Sequence, residues 1–139
     1  MTYTYWFSEH SNKHKTIVNS LKYLEKKEII KYFEYENMQS LHKDFCYLFE
    51  QNIKCHDIKN LNCYLCGCPY FRFDDDGLYV DNNGNTVYSY CVKNLGCKFT
   101  LNGKTHHDCS KCTIPHTKKF ISDNFDMDWS MIMKDVIKP

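Results

Sequence analysis

Arginine is almost missing from this chain: Arg72 stands alone among 139 residues, and lysine supplies the rest of the positive charge. The formal net charge is +1, which leaves no electrostatic footprint for nucleic acid. No hydrophobic run approaches a membrane span, which excludes a helical crossing. The N-terminus also lacks a basic-then-apolar signal pattern. A phosphate loop, a Gly-x-Ser-x-Gly elbow and a His-Glu-x-x-His zincin helix are absent too, removing three common enzyme readings. No linker, low-complexity tract or internal repeat breaks the chain.

What is present points to a soluble protein held in part by metal. Mean hydropathy is −0.60 and 25% of residues are charged, while eleven Tyr and nine Phe can furnish a core. Nine cysteines without a secretory signal favour reduced thiols and metal ligation over disulfides, and their odd count fits no complete disulfide framework. The expected compartment is the cytoplasm.

The N-terminal third reads as a strand–helix–strand extension, with two helices as the alternative. Residues 2–7 are β-branched or aromatic and suit a strand. Ile17, Val18, Leu21 and Leu24 follow helical spacing, and a second strand is expected over 29–35. Leu41, Phe45, Leu48 and Phe49 mark a helix over roughly 37–51, with Cys46 on or beside its apolar face. Phe71 to Tyr90 reads as an elaborated hairpin, with turns at Asp74–Gly77 and Asp81–Asn85. Gly96 and Gly103 mark further turns. Trp129, Ile132, Met133, Val136 and Ile137 fall on one face of a C-terminal helix. The fold class expected is α+β, a small metal-stabilised cysteine-rich domain with short hairpins. Its boundaries are an extension over 1–44, the cysteine-rich domain over 45–122 and the terminal helix over 123–139.

Two knots dominate the middle of the chain. Asn62-Cys63-Tyr64-Leu65-Cys66-Gly67-Cys68-Pro69-Tyr70 places three thiols within six residues, and Asp108-Cys109-Ser110-Lys111-Cys112-Thr113-Ile114-Pro115-His116 answers it. A Cys-x-x-Cys turn lets two sulfurs reach one ion, so Cys63, Cys66, Cys109 and Cys112 make the simplest tetrahedral zinc site. Cys46, Cys55, Cys68 and Cys97, with His56 and His116, can complete a second. Cys91 fits no motif and reads as a small buried hydrophobe. His10 and His14, one helical turn apart, read as solvated for want of a third ligand, and His42, His106 and His107 as surface residues. The Asp74–Asp76 run reads as a solvated turn, and Tyr70, Phe71 and Phe73 as core rather than base-stacking groups.

The same residues resemble the cysteine-rich small domain family of bacteria and archaea. That family pairs an Asn-Cys-x-x-Cys-x-Cys-Pro knot with an Asp-Cys-Ser-x-Cys-x-x-Pro-His knot. Its upstream cysteine, its Cys-His pair and its lone cysteine before the second knot correspond to Cys46, Cys55-His56 and Cys97. The match covers roughly residues 45–120. Residues 71–91 look inserted, and residues 1–44 lie outside the family core. The resemblance implies metal binding. Archaeal relatives that join the module to a cobinamide-salvage enzyme point toward cofactor metabolism.

The function expected is that of a metal-binding accessory or binding protein with one or two zinc ions, partnered by a protein or a small molecule. The alternative is a [4Fe-4S] protein with redox or enzymatic work, because three clustered cysteines before a proline also suit cluster loops.

Overall fold

The computed structural model describes residues 2–137. Residues 2–7 form no strand. Thr2 caps a long helix, α1 (Tyr3–Asn19), and its hydroxyl accepts from Tyr5 N at 3.1 Å. Strand propensity loses here to packing. Tyr3, Trp6, Phe7, His10 and His14 recur three or four residues apart, and that stripe faces the core around Trp129.

Two further helices follow, α2 (Lys26–Tyr32) and α3 (Tyr35–Leu41). The strand expected over 29–35 is therefore mostly helix. Its apolar residues Ile29, Ile30 and Phe33 are all buried, as one helical face and its C-cap. The helix expected over 37–51 stops at Leu41. His42 closes it, and turns carry the chain to Asn52 while still burying Phe45 and Phe49. The N-terminal third is thus helical, the alternative of two helices being nearer than strand–helix–strand.

The middle of the chain is built from six short strands. β1 (Phe71–Phe73) pairs antiparallel with β4 (Ser89–Cys91), setting Phe71 opposite Cys91. A four-stranded sheet runs in the order β2 (Tyr79–Val80), β3 (Thr86–Val87), β6 (Lys104–Asp108), β5 (Cys97–Leu101). β3 and β6 are parallel and the other pairs antiparallel. The turns fall where turn chemistry puts them. Asp81 Oδ1 accepts from both Asn83 N and Asn85 N at 2.9 Å. Asn102 and Gly103 both sit at positive φ, 53° and 77°, as a two-residue hairpin turn requires.

After the second knot, a short 3-10 turn (Ile114–His116) leads to α4 (Lys118–Asp123), a helix the sequence does not announce. The terminal helix, α5 (Trp129–Ile132), has a single turn, and Met133 and Val136 reach the core from the turns beyond it. The architecture is α+β. Its core runs from Ile17 through Phe33, Tyr64 and Leu65 to Val136, drawing residues from all along the chain. Trp129, at its centre, donates from Nε1 to Leu65 O in the first knot. Among the described residues no helix is long and apolar enough to cross a membrane.

Candidate metal centre

Asn62 organises the first knot. Its side chain is fully buried and doubly bonded: Nδ2 donates to Ile30 O at 2.7 Å and Oδ1 accepts from Tyr64 N at 2.9 Å. Its backbone also reaches across the chain, Asn62 N donating to His116 O at 3.1 Å. In return His116 Nδ1 donates to Asn62 O at 3.0 Å. The residue that opens one knot thus holds the histidine that closes the other. Truncation by Asn62→Ala strands the Tyr64 amide inside the core, while the Ile30 carbonyl loses one of two donors and keeps Phe33 N at 3.1 Å. We expect a loss on the order of 1–3 kcal/mol, read as a lower denaturant midpoint with an unchanged slope.

That tie fixes the tautomer of His116. A carbonyl can only accept, so Nδ1 carries the proton and Nε2 keeps its lone pair. Nε2 lies 3.7 Å from Cys55 Sγ. His56 is arranged the same way: Nε2 donates to Cys109 O at 3.1 Å, and Nδ1 lies 3.1 Å from Cys55 Sγ. The ligand atoms of Cys55, His56 and His116 all fall within 4.8 Å of one another. Imidazoles with one nitrogen tied to a carbonyl and the other turned to a shared point are the outer-shell pattern of metal-binding histidines. Burial lowers the His116 pKa below the ordinary histidine range, with His56 adding to the effect, so its imidazole stays neutral as ligation requires.

The remaining thiols divide. Cys63 lies in the field of Cys55 and Cys46, and Cys66 in the field of Cys63, Cys46 and Cys55. On the other side, Cys109 has Cys68, Cys112 and Cys91 as its like-charged neighbours. The structure thus gathers Cys46, Cys55, Cys63 and Cys66 toward one end, and Cys68, Cys91, Cys109 and Cys112 toward the other. Both ends open onto one cavity of about 350 Å³, which Tyr3 and Trp6 of α1 also line. Cys97 lines no part of it; it is exposed at the start of β5, opposite Asp108.

Burial is the main force on Cys55, Cys63, Cys66, Cys68 and Cys109. It pushes the thiols of Cys68 and Cys109 up to about 11, and raises Cys63 and Cys66 further. To ionise, such a cluster needs a counter-charge. A divalent cation would supply one and release the thiol protons. Cys66 sits at φ 35°, rarely adopted by a residue with a Cβ, and Gly67 follows at φ 142° against Trp129. Strain of this kind concentrates where a turn is bent to aim a functional side chain.

Several residues stand elsewhere than their sequence reading. His10 and His14, read as solvated, are 2% and 0% exposed. They pack among Trp6, Phe33, Phe45 and Trp129 because α1 turns its aromatic stripe inward. His106 is exposed on strand β6, in keeping with its surface reading, whereas His107 on the same strand is only half exposed, its Nδ1 buried without a partner. His42 is half-buried and bonded to Tyr32 Oη at 2.8 Å. Phe71 packs against the core, as its core reading requires. Cys91, read as a lone hydrophobe, sits among thiols. The sequence offers no signal for that, because the β1–β4 pairing that carries Cys91 there is non-local.

No family model, no curated protein and no solved structure matches this chain.

Proposed function

We propose that this protein is a metal-binding module of the zinc class, acting as an accessory or binding protein. The observation that carries the reading is the convergence of Cys55 Sγ, His56 Nδ1 and His116 Nε2, with the outer nitrogen of each imidazole committed to a backbone carbonyl. A borderline-soft d10 ion suits one sulfur and two nitrogens, and a first-knot thiol supplies the fourth position of a closed tetrahedron. Among the thiols around Cys55, Cys46 acts on its charge, and Cys55 in turn acts on Cys63 and Cys66 of the first knot.

The test is metal loading followed on His116→Ala. Purified protein should carry zinc, and cobalt substitution should give the intense ligand-field bands of a tetrahedral site. His116→Ala should alter that spectrum and weaken retention by at least about 10-fold. Protein that holds no zinc, or holds it equally well in His116→Ala, would rule the site out.

A [4Fe-4S] cluster is the second reading, favoured by Cys66, Cys68, Cys109 and Cys112 lining the shared cavity together. Anaerobically purified protein decides between the two: brown protein with iron and sulfide supports the cluster, and colourless protein with zinc removes it.

A further inference from the structure

The end of the cavity away from Cys55 has features that the imidazole site does not use. A separate small cavity of about 30 Å³ is walled by Cys68, Cys91, Cys109 and Cys112, together with His107. Three unrelated stretches of chain bring these residues there. Cys68 ends the first knot, and its carbonyl accepts from Phe71 N at 3.0 Å as β1 begins. Cys91 ends β4 and is held opposite Phe71 by the antiparallel register. Cys109 and Cys112 follow β6 in a tight turn, Cys112 N donating to Cys109 O at 3.0 Å. The rest of the wall is apolar, formed by Tyr70, Phe71, Ile114 and their neighbours.

His107 supplies an independent observation. Its Nε2 donates to Leu95 O, which leaves Nδ1 as a bare lone pair. That nitrogen is buried and has no partner. The orientation is built in: a Cβ on Gly96 would stand 2.7 Å from Asp108 O and 3.0 Å from His107 Nε2, so only glycine lets the ring approach the turn. An orphaned acceptor beside four thiols in an apolar wall is an unfavourable arrangement for a dry cavity. A cation relieves it, by drawing the sulfurs into ionised form beside a nitrogen whose lone pair can ligate.

We propose that Cys68, Cys91, Cys109 and Cys112 hold a second divalent ion of the zinc class, distinct from the ion at Cys55, His56 and His116, with Cys91 as a full ligand. A space of this volume admits one ion or one water, not a cluster. Binding releases protons from the thiols and involves no change of oxidation state. The assignment divides the two Cys-x-x-Cys pairs: Cys109 and Cys112 stay together, but their partners are Cys68 and Cys91 rather than Cys63 and Cys66. The inference rests on the metal-binding reading but not on its imidazole site.

The test uses the full chain loaded with the NMR-active isotope of cadmium, a thiol-seeking stand-in for zinc. Proton–cadmium correlations identify each ligand without any substitution. The β-protons of Cys68, Cys91, Cys109 and Cys112 should couple to one cadmium, and those of Cys55 to another. If Cys91 shows no coupling, or if Cys109 and Cys112 share their cadmium with Cys63 and Cys66, the proposal is overturned. A paired measurement is zinc content: Cys91→Ser should take it from about two ions per chain to about one, while Cys97→Ser leaves it unchanged. Failure of the imidazole site has a different signature, in which the four-thiol resonance persists and the cadmium coupled to Cys55 is missing.

Discussion

Acidification should unfold this protein through its buried histidines, ahead of full protonation of its carboxylates. His10 and His14 are buried in the aromatic core, and desolvation lowers their pKa values to about 3 and about 4, with His14 and Lys13 adding to the shift at His10. The bond that His14 Nε2 donates to Tyr64 O, at 2.9 Å, and the charge of Asp128 oppose its shift without cancelling it. Unfolded, both residues titrate near 6.5. Below that pH the unfolded chain binds protons that the folded chain refuses. The contribution to stability is therefore fully present above 6.5 and is lost as pH falls toward the folded values. Two such groups give a limiting slope of about 2.7 kcal/mol per pH unit. By pH 4.5 the loss is on the order of 5 kcal/mol, comparable to the whole stability of a small domain. His10→Leu removes one group whose Nε2 has no partner, so it should keep neutral-pH stability and remove about half of the slope. An unchanged slope in that variant would show that the acid transition belongs to other groups.

On the metal-binding reading, chelation should have an effect at least as large. Structural zinc contributes on the order of 10 kcal/mol at neutral pH, and the strands of this protein have little else to hold them. β2 and β5 are exposed along their whole length, and of the three other strands of that region with any buried residue, each contributes one: Val87, Ser89 and Thr105. The helical part differs, because Ile17, Val18, Phe33, Tyr64 and Trp129 form a contiguous apolar core. Metal removal should therefore lower the melting temperature by more than about 20 °C. Amide protection should disappear first from residues 68–116, with α1 and α2 retaining more. A melting curve indifferent to chelator would refute a structural role for metal.

Whether a feature could be read from the sequence depended on how local its cause was. Turns at Asp74–Gly77, Asp81–Asn85 and Gly103 could be located because the residues that make them are adjacent. The two knots stood out in the sequence for the same reason. The first helix was hidden because Thr2 to Phe7 favour a strand by propensity, and only packing against Trp129, more than a hundred residues away, decides otherwise. The same distant contact turns His10 and His14 inward. Cys91 lay beyond reach because its neighbours come from the pairing of β1 with β4 and from the loop after β6. The role of Asn62 was equally hidden: its four hydrogen bonds run to Ile30, Tyr64 and His116, and only one of those residues is near it in the chain.

The bond between Asn62 and His116 also bears on the order in which this chain can assemble. It closes a loop of 54 residues, while the β5–β6 hairpin inside that loop needs only local closure. Long closures form late, after their entropy has been offset by other contacts. An ion held by Cys55, His56 and His116 spans the same gap, so it would act as a latch on a nearly finished structure rather than as a nucleus. Interactions absent from the transition state slow unfolding and leave folding almost unchanged. The protein's persistence against degradation would then be set by how rarely this one junction opens.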